Sequence, residues 1–431
     1  MTKPTSSARN SHTKKRKGNW KLYLEAPFPR VALHPASLRH IRQGHPWITS
    51  DEFTKKFPGD RLFLIGTDPA KKELCLLLND PAHPKIKARV WSHSGDFIQQ
   101  VKDFPMILRE RLIRSFQKRR DLQQLGEREN ICLCYGEADF LPGLQILLFK
   151  DFILIQNTMK IWDELSALLK KNLEPAFKDV FPDIDLKGIL YQTRNAKQEL
   201  SLSTWFGPER AKQGLEIEEF GVKYDLRLDR HYDFGLYTDM ASIRKKMRSW
   251  FKEKTVLNLY CYTGSFSLFA LKQGAKNVTS VDLSPEYLTW LEQNLQLNPG
   301  LDGSKNLSVQ QSVEKYLKTA VKEEKKFDVI ICDPPSASSD GKKMSNALKQ
   351  YEQTLPLMLE LLSKKGKLVT ALNTHQIPLK KFSEKIKGLL DPKKFKIQET
   401  WTNDDDFQGL KNVPENQYLK VIVIVPTEGR A

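Results

Sequence analysis

Val256-Leu-Asn-Leu-Tyr-Cys-Tyr-Thr-Gly-Ser-Phe-Ser-Leu-Phe-Ala-Leu-Lys272 decides the fold of the second half of this chain. Val256 to Leu259 reads as a buried strand, Tyr260 to Ser265 as a tight loop, and Phe266 to Lys272 as a helix. Ligands bind at the carboxyl ends of strands that turn into helices in this way. Gly264 lets a backbone approach closely. Asp282, 18 residues further on, ends the next strand core, Val278 to Val281, where a carboxylate can accept hydrogen bonds from both hydroxyls of a ribose. The same layout would serve a dinucleotide, but the G-x-G-x-x-G that passes a pyrophosphate over a helix N-terminus is absent. A cofactor with a ribose and no pyrophosphate fits better; an ordinary strand-to-helix turn is the other reading.

Outward from this stretch the pattern stays regular. From Met240 onward, strand cores at Val256 to Leu259, Val278 to Val281, Val329 to Cys332 and Lys367 to Leu372 alternate with helices. Such alternation means an α/β domain built on a mostly parallel sheet with helices on both faces. The apolar, β-branched run Tyr418 to Val425 should close the sheet late in the chain. The strand Phe327 to Cys332 delivers Asp333-Pro334-Pro335-Ser336 to the same sheet edge as the loop at Gly264. Two prolines stiffen that loop. A rigid loop beside a reactive cofactor can hold a planar base by its carbonyls and the Asp333 side chain. Alone, D-P-P would be a turn after a buried strand. Placed after this strand, it points to function.

With 431 residues, the chain exceeds the size of one hydrophobic core, so two or three domains are expected. No apolar run is long enough to span a bilayer, which argues for a protein that does not enter membranes. Five cysteines (Cys75, Cys132, Cys134, Cys261, Cys332) match neither a zinc spacing nor a disulfide framework, and point to a reducing, cytoplasmic setting. The histidines, among them His34, His40 and His45, show no metal-site spacing, so no metal is expected; His375 alone merits a test. The net charge is +17. Seven of the basic residues lie in the first 24 positions, where no acid occurs, and the remaining body is basic as well. A polyanionic partner such as nucleic acid would explain both; a merely basic protein is the alternative.

The opening residues are too poor in apolar side chains to order themselves and read as a basic, disordered arm. Short strand-like segments such as Arg61 to Ile65 and Glu73 to Leu78 follow, separated by turns, as in a small β-rich domain. Leu108, Leu112, Ile113 and Phe116 recur at helical spacing with Arg109, Arg111, Arg114, Lys118, Arg119 and Arg120 between them, so one face of a helix packs and the other is basic. Beyond it, a hairpin over Leu144 to Gln156, a helix over Ile161 to Leu173 and a strand over Val222 to Leu228 form a middle domain. Trp47 reads as a core residue of its small domain rather than a stacking platform.

Six ordered motifs now converge. Gly44-His-Pro-Trp47, Gly136-Glu-Ala-Asp-Phe-Leu-Pro-Gly-Leu144, Tyr262-Thr-Gly-Ser-Phe-Ser267, Val281-Asp-Leu-Ser284, Asp333-Pro-Pro335 and Tyr418-Leu-Lys420 together resemble the bacterial 23S large-subunit ribosomal RNA methyltransferase I-like family. The chain is also similar to the guanine-N7 methyltransferase half of a two-domain ribosomal RNA enzyme. The resemblance implies an N-terminal β-rich PUA domain that binds RNA (25–103) after the arm (1–24), a small central α/β domain (104–230), and a C-terminal Rossmann-like class I methyltransferase domain (231–431) using S-adenosylmethionine. The implied partner is 23S ribosomal RNA or a large-subunit precursor; a homodimer is left open. Carried over position by position, Tyr262, Thr263 and Gly264 would lie under the methionine portion of the cofactor, Asp282 on the ribose and Leu283 beside the adenine, and Asp333 would border cofactor and base. Asp239 and Arg244, in the stretch from Phe234, would touch the amino-acid end. Two departures would weaken cofactor binding: Met240-Ala241 stand where members carry Gln-Arg, and Ser312 stands where an acid is expected near the adenine.

Methylation at cytosine C5 needs a thiolate that first adds to C6. Family members of that kind carry Ser-Cys-Ser after the fifth strand, whereas here Asn373 stands in that place. Cys261 and Cys332 are out of register and read as packed residues. Guanine N7 already carries a lone pair and needs placement only. The resemblance to N7-specific relatives, which use Asn in this region, therefore makes guanine N7 the leading acceptor, with Asp333, Pro334, Pro335 and Asn373 as the catalytic set. Exocyclic nitrogen comes next, but Ser336-Ala-Ser338 offers no aromatic after the prolines to stack on a flipped base, so Tyr237 or Tyr260 would have to supply one. Two other classes compete: a non-catalytic ribosome-assembly factor that keeps the fold, and a small-molecule or protein methyltransferase, which would have no use for the basic arm.

Overall fold

The structure is a computed structural model that describes residues 19–25, 27–122, 126–194, 200–207, 214–230, 234–335, 345–403, 405–410, 413 and 416–427. Most of the basic arm and Ser336 to Ser338 lie outside these residues. The chain divides into two compact units, the first drawn from Met1–Gln123, Ile131–Glu209 and Leu410–Asn412, the second from Gln124–Asn130, Arg210–Gly409 and Val413–Ala431. Among the described residues no helix is long and apolar enough to cross a membrane.

The first unit holds two five-stranded sheets. One uses Arg30–Ala32, Trp47–Thr49, Phe63–Thr67, Glu73–Asn79 and Ile86–Ser92; the other uses Asn130–Tyr135, Leu144–Phe149, Phe152–Asn157, Gly188–Arg194 and Leu200–Phe206. The expected hairpin forms, with Phe149 paired to Phe152 across a two-residue turn. The expected helix runs further than its apolar spacing suggests, as Lys160–Glu164 followed by Ser166–Val180. Trp47 is half-buried, and its indole N–H donates to Glu137 at 2.8 Å, beside the Arg89–Glu137 ion pair.

Several basic side chains of the helix Phe104–Arg120 are paired with groups from elsewhere in the chain. Arg119 is fully buried in a two-bond pair with Asp139 (2.5 and 2.7 Å), while Arg109 meets Asp179 and Arg120 meets Asp183. Arg111 donates to the carbonyls of Trp91 and Phe140 and lies 3.6 Å from the Trp91 ring. Only Arg114 and Lys118 of that set line an open groove, together with the acids Glu110 and Asp121. Acids distant in sequence thus pair with three arginines of this helix, one pair buried and two at the surface.

The second unit is a seven-stranded sheet. Its strands are β1 (Thr255–Leu259), β2 (Asn277–Asp282), β3 (Asn306–Gln310), β4 (Phe327–Cys332), β5 (Leu362–Asn373), β6 (Phe395–Thr402) and β7 (Leu419–Pro426), in the order β3-β2-β1-β4-β5-β7-β6. Neighbours from β3 through β5 are parallel, and β7 runs antiparallel to both β5 and β6. This is the Rossmann-like arrangement, with the order reversing between β1 and β4, the switch point at which a crevice opens. After a short helix at Ala241–Lys246, the helices between and after the strands are α1 (Ser265–Lys272), α2 (Pro285–Gln296), α3 (Val313–Lys322), α4 (Ser345–Leu361) and α5 (Leu379–Leu389). Leu257, Ile330, Leu368 and Ile422 pack against Leu317, Leu355 and Phe382 from α3, α4 and α5 in one buried cluster. The strand expected at Val222 to Leu228 pairs with Leu215–Glu219 as a hairpin of this second unit, whereas the sequence reading ended the middle domain at residue 230.

Candidate active site

The loop after β1 is forced into an unusual path. Tyr260, Tyr262 and Gly264 all have positive φ (57°, 52° and 84°), a conformation that costs free energy in any residue but glycine and clusters at functional sites. Side chains hold it there. The Thr263 hydroxyl donates to the Gly235 carbonyl at 2.6 Å, the Gly235 N–H donates to the Tyr262 hydroxyl at 2.9 Å, and Asn294 of α2 donates to the Thr263 carbonyl at 3.0 Å. A Cβ on Gly264 would lie 2.5 Å from Leu291 of α2, so only glycine lets loop and helix pack this closely.

Asp282 ends β2 with both carboxylate oxygens oriented, Oδ2 by the Tyr262 N–H at 3.0 Å and Oδ1 by the Ser284 N–H at 2.9 Å. Each oxygen keeps a lone pair for a ribose hydroxyl. Leu283 follows with its apolar side chain 69% exposed, a surface that a flat ring would cover. These features fit the ribose and adenine of a nucleoside cofactor. Ser312, at the N-cap of α3, is exposed and caps no helix N–H with its side chain.

The stretch ahead of β1 meets the far side of the sheet edge. Asp239 accepts a hydrogen bond from the Tyr418 hydroxyl at 2.6 Å. Its carboxyl is pushed above the usual range by burial, a rise that this hydrogen bond opposes. Arg244 is fully buried. Its guanidinium pairs with Glu219 at 2.6 and 3.1 Å and donates to the Tyr237 carbonyl at 3.1 Å. Instead of ending in the crevice, it braces the segment that lines it. Glu219 was not singled out from the sequence, although the alternation Leu215-Glu-Ile-Glu-Glu219 puts it on the buried face of its strand, where a carboxylate needs a partner.

Asp333 follows β4, partly buried, with Pro334 buried and Pro335 exposed. Burial, reinforced by the negative charge of Asp239 and opposed by Arg244, pushes the Asp333 carboxyl up to about 7. The Tyr351 hydroxyl of α4 donates to the carbonyls of Cys332 (3.0 Å) and Ala371 (2.7 Å), pinning the ends of β4 and β5 together. Asn373 is the last residue of β5, paired with Leu419 and half-buried. Beside it the Lys420 ammonium donates to the carbonyls of Thr374 and Tyr418, and burial draws it down to about 8. The spacing of Tyr418-Leu-Lys420 gives no hint of this role, in which Lys420 ties the residue after Asn373 to the start of β7. His375 lies with its ring 5.4 Å from that of Tyr418. Cys261 and Cys332 are buried, and burial raises both thiols well above their ordinary value, so neither supplies a thiolate.

Asp239, Tyr262, Thr263, Gly264, Asp282, Leu283, Ser312, Asp333, Pro334, Pro335 and Asn373 thus all lie on the carboxyl edge of the parallel strands or in loops meeting it. The arrangement offers an oriented acid at the end of β2, an apolar ledge, two prolines after β4 and two partly buried carboxylates, Asp239 and Asp333.

Comparison with known proteins bears on the same region. The S-adenosylmethionine-dependent methyltransferase family matches residues 188–387. Ribosomal RNA large subunit methyltransferase I of Klebsiella pneumoniae (strain 342) is 30% identical over 360 residues, covering 80% of this chain and 84% of that protein. Its counterpart in Pseudoalteromonas translucida is 29% identical over 400 residues, 91% of this chain and 98% of that protein. Among solved structures, a protein assigned as a methyltransferase and complexed with SAH superposes with a TM-score of 0.79 at 20% identity, covering 93% of this chain and 100% of that one. A Streptococcus mutans protein assigned as SAM-dependent gives 0.77 at 21% identity, with the same coverage. These two likenesses show the fold.

Proposed function

The chain belongs to the ribosomal RNA large subunit methyltransferase I family, and on that premise we propose that it methylates a base of 23S ribosomal RNA, with guanine N7 as the leading acceptor. It is an S-adenosylmethionine-dependent methyltransferase. The cofactor supplies an electrophilic methyl group on a sulfonium. Asp282 holds its ribose, Leu283 covers its adenine, and the braced loop Tyr262 to Gly264 backs its methionine portion. Asp333 and Asn373 hold the base edge, and Pro334 and Pro335 keep the loop from yielding.

The observation that carries the choice of acceptor is the absence, among the described residues at this sheet edge, of an available thiolate: Asn373 ends β5, and Cys261 and Cys332 are buried, with burial pushing their thiols above the ordinary value. Cytosine C5 requires that thiolate, whereas guanine N7 requires only in-line placement and no general base. Transfer to N7 leaves the purine cationic, a charge that the neighbouring carboxylates of Asp333 and Asp239 favour. The first unit, including the small N-terminal domain read as PUA-like, would hold the structured RNA.

The test is transfer of labelled methyl groups from S-adenosylmethionine to naked and ribosome-assembled RNA from a strain lacking the protein, followed by nucleoside mass spectrometry. Labelled 7-methylguanine is expected. Labelled 5-methylcytosine would overturn the role given to Asn373. Retained RNA binding with neither label nor cofactor binding would instead favour an assembly factor that keeps the fold.

A further inference from the structure

A base presented to a methyl donor has to leave its stack, and the aromatic face that replaces the lost stacking is missing from the post-β4 loop, where Ser336-Ala-Ser338 follows the prolines. We infer that Tyr237 is that face: its ring is the platform on which the acceptor base lies while Asp333 and Asn373 hold its edge. This assignment rests on the reading of the chain as an RNA base methyltransferase.

Tyr237 is 41% exposed within a segment whose neighbours Phe234, Leu236, Thr238 and Met240 are all buried. A single large aromatic turned outward from a buried stretch leaves apolar area uncovered beside the crevice. Its position is fixed from below. The Arg244 guanidinium, buried against Glu219, holds the Tyr237 carbonyl, and Gly235 is held on both its N–H and its carbonyl by Tyr262 and Thr263. The Tyr237 ring centroid lies 5.1 Å from that of Tyr262, in the cofactor loop, and Asp239, two residues on, shares its electrostatic environment with Asp333. The platform is therefore anchored beside the cofactor loop, in the segment whose Asp239 acts electrostatically on Asp333, and its backbone need not reorganise when a base arrives.

Among the described residues, neighbouring tyrosines of this edge are less exposed or engaged in contacts of their own. Tyr260 packs against the core cluster under the sheet. Tyr262 lies edge-on to Tyr287 at 4.7 Å. Tyr351 is buried with its hydroxyl shared by two carbonyls, and Tyr418 spends its hydroxyl on Asp239. Of the two tyrosines that the sequence left open, burial selects Tyr237.

The experiment compares native protein with Tyr237→Ala, Tyr237→Leu, Tyr237→Phe and Tyr237→Trp, measuring methyl transfer to RNA from a strain lacking the protein, cofactor affinity and thermal stability. Tyr237→Ala and Tyr237→Leu should lose roughly 5- to 100-fold in kcat/KM for RNA. Tyr237→Phe and Tyr237→Trp should keep most of it, and cofactor affinity should stay within about 2-fold throughout. A merely structural tyrosine would instead lose stability and cofactor binding together, which would overturn the assignment. So would native-like transfer by Tyr237→Ala. Absence of transfer by the native protein would remove the methyltransferase reading itself, an outcome distinct from failure of Tyr237 alone.

Discussion

Replacing Asp333 by Asn should stabilise the protein at alkaline pH and impair it as a catalyst. Burial, then the charge of Asp239, moves the Asp333 carboxyl from an ordinary 3.8 to about 7. At about 1.4 kcal/mol for each tenfold, that displacement corresponds to roughly 4 kcal/mol. Because the side chain keeps some contact with water, roughly 2 kcal/mol is the amount expected in practice. Below about pH 4 the carboxyl is neutral in folded and unfolded chains alike, and its burial carries no charge penalty. Between about pH 4 and pH 7 the unfolded chain ionises this carboxyl while the folded chain keeps it neutral, so stability falls across that range and levels off above about 7, where the folded state holds the ion as well. Asn remains neutral throughout. The gain from Asp333→Asn should thus be near zero at pH 4 and reach about 2 kcal/mol at pH 8, read from urea midpoints at the two values. Methyl transfer by the native protein should rise as pH passes through about 7, because the ionised carboxylate offsets charge placed on the purine; in Asp333→Asn the profile should flatten and fall roughly 100-fold. An equal stability gain at both pH values, or none at pH 8, would refute the account of a charge held against its preference.

Asn373→Ala should slow transfer at least about 10-fold while cofactor affinity, measured by equilibrium binding, changes less than about 2-fold; lost cofactor binding would sink the base-holding role. Leu283→Ala removes an exposed side chain, so stability should move by less than about 0.5 kcal/mol, yet affinity for S-adenosylmethionine should drop about 3- to 10-fold if the leucine covers the adenine. Gly264→Ala combines an unfavourable φ with a clash against Leu291, and should cost roughly 2–4 kcal/mol in denaturant unfolding along with cofactor affinity. Unchanged unfolding would mean that the loop relaxes freely.

By itself the sequence determined the architecture of the second unit and the place of its site. Strands β1, β4, β5 and β7 carry apolar runs because they lie in the interior of the sheet, and such runs are visible without neighbours. The edge strands β3 and β6, with mixed residues such as Asn306-Leu-Ser-Val-Gln310, have no such signature, since one side of each meets solvent. Motif residues at strand ends were legible for the same local reason: a strand, a glycine turn and an acid 18 positions on are read along the chain. What only the tertiary structure decided is which side chains are already spent. Arg119, Arg109 and Arg120 read only as basic positions on a helix until Asp139, Asp179 and Asp183 are seen to pair with them. Arg244 looks like a cofactor contact until Glu219 claims it, and Tyr418, 179 residues from Asp239, cannot be matched to it by any spacing rule. Tyr237 and Tyr260 are equivalent on paper, and burial alone separates them. Periodicity is set by a residue's neighbours in the chain, whereas ion pairing and exposure are set by residues that the topology brings in from far away, where opposite charges deprived of water must find each other.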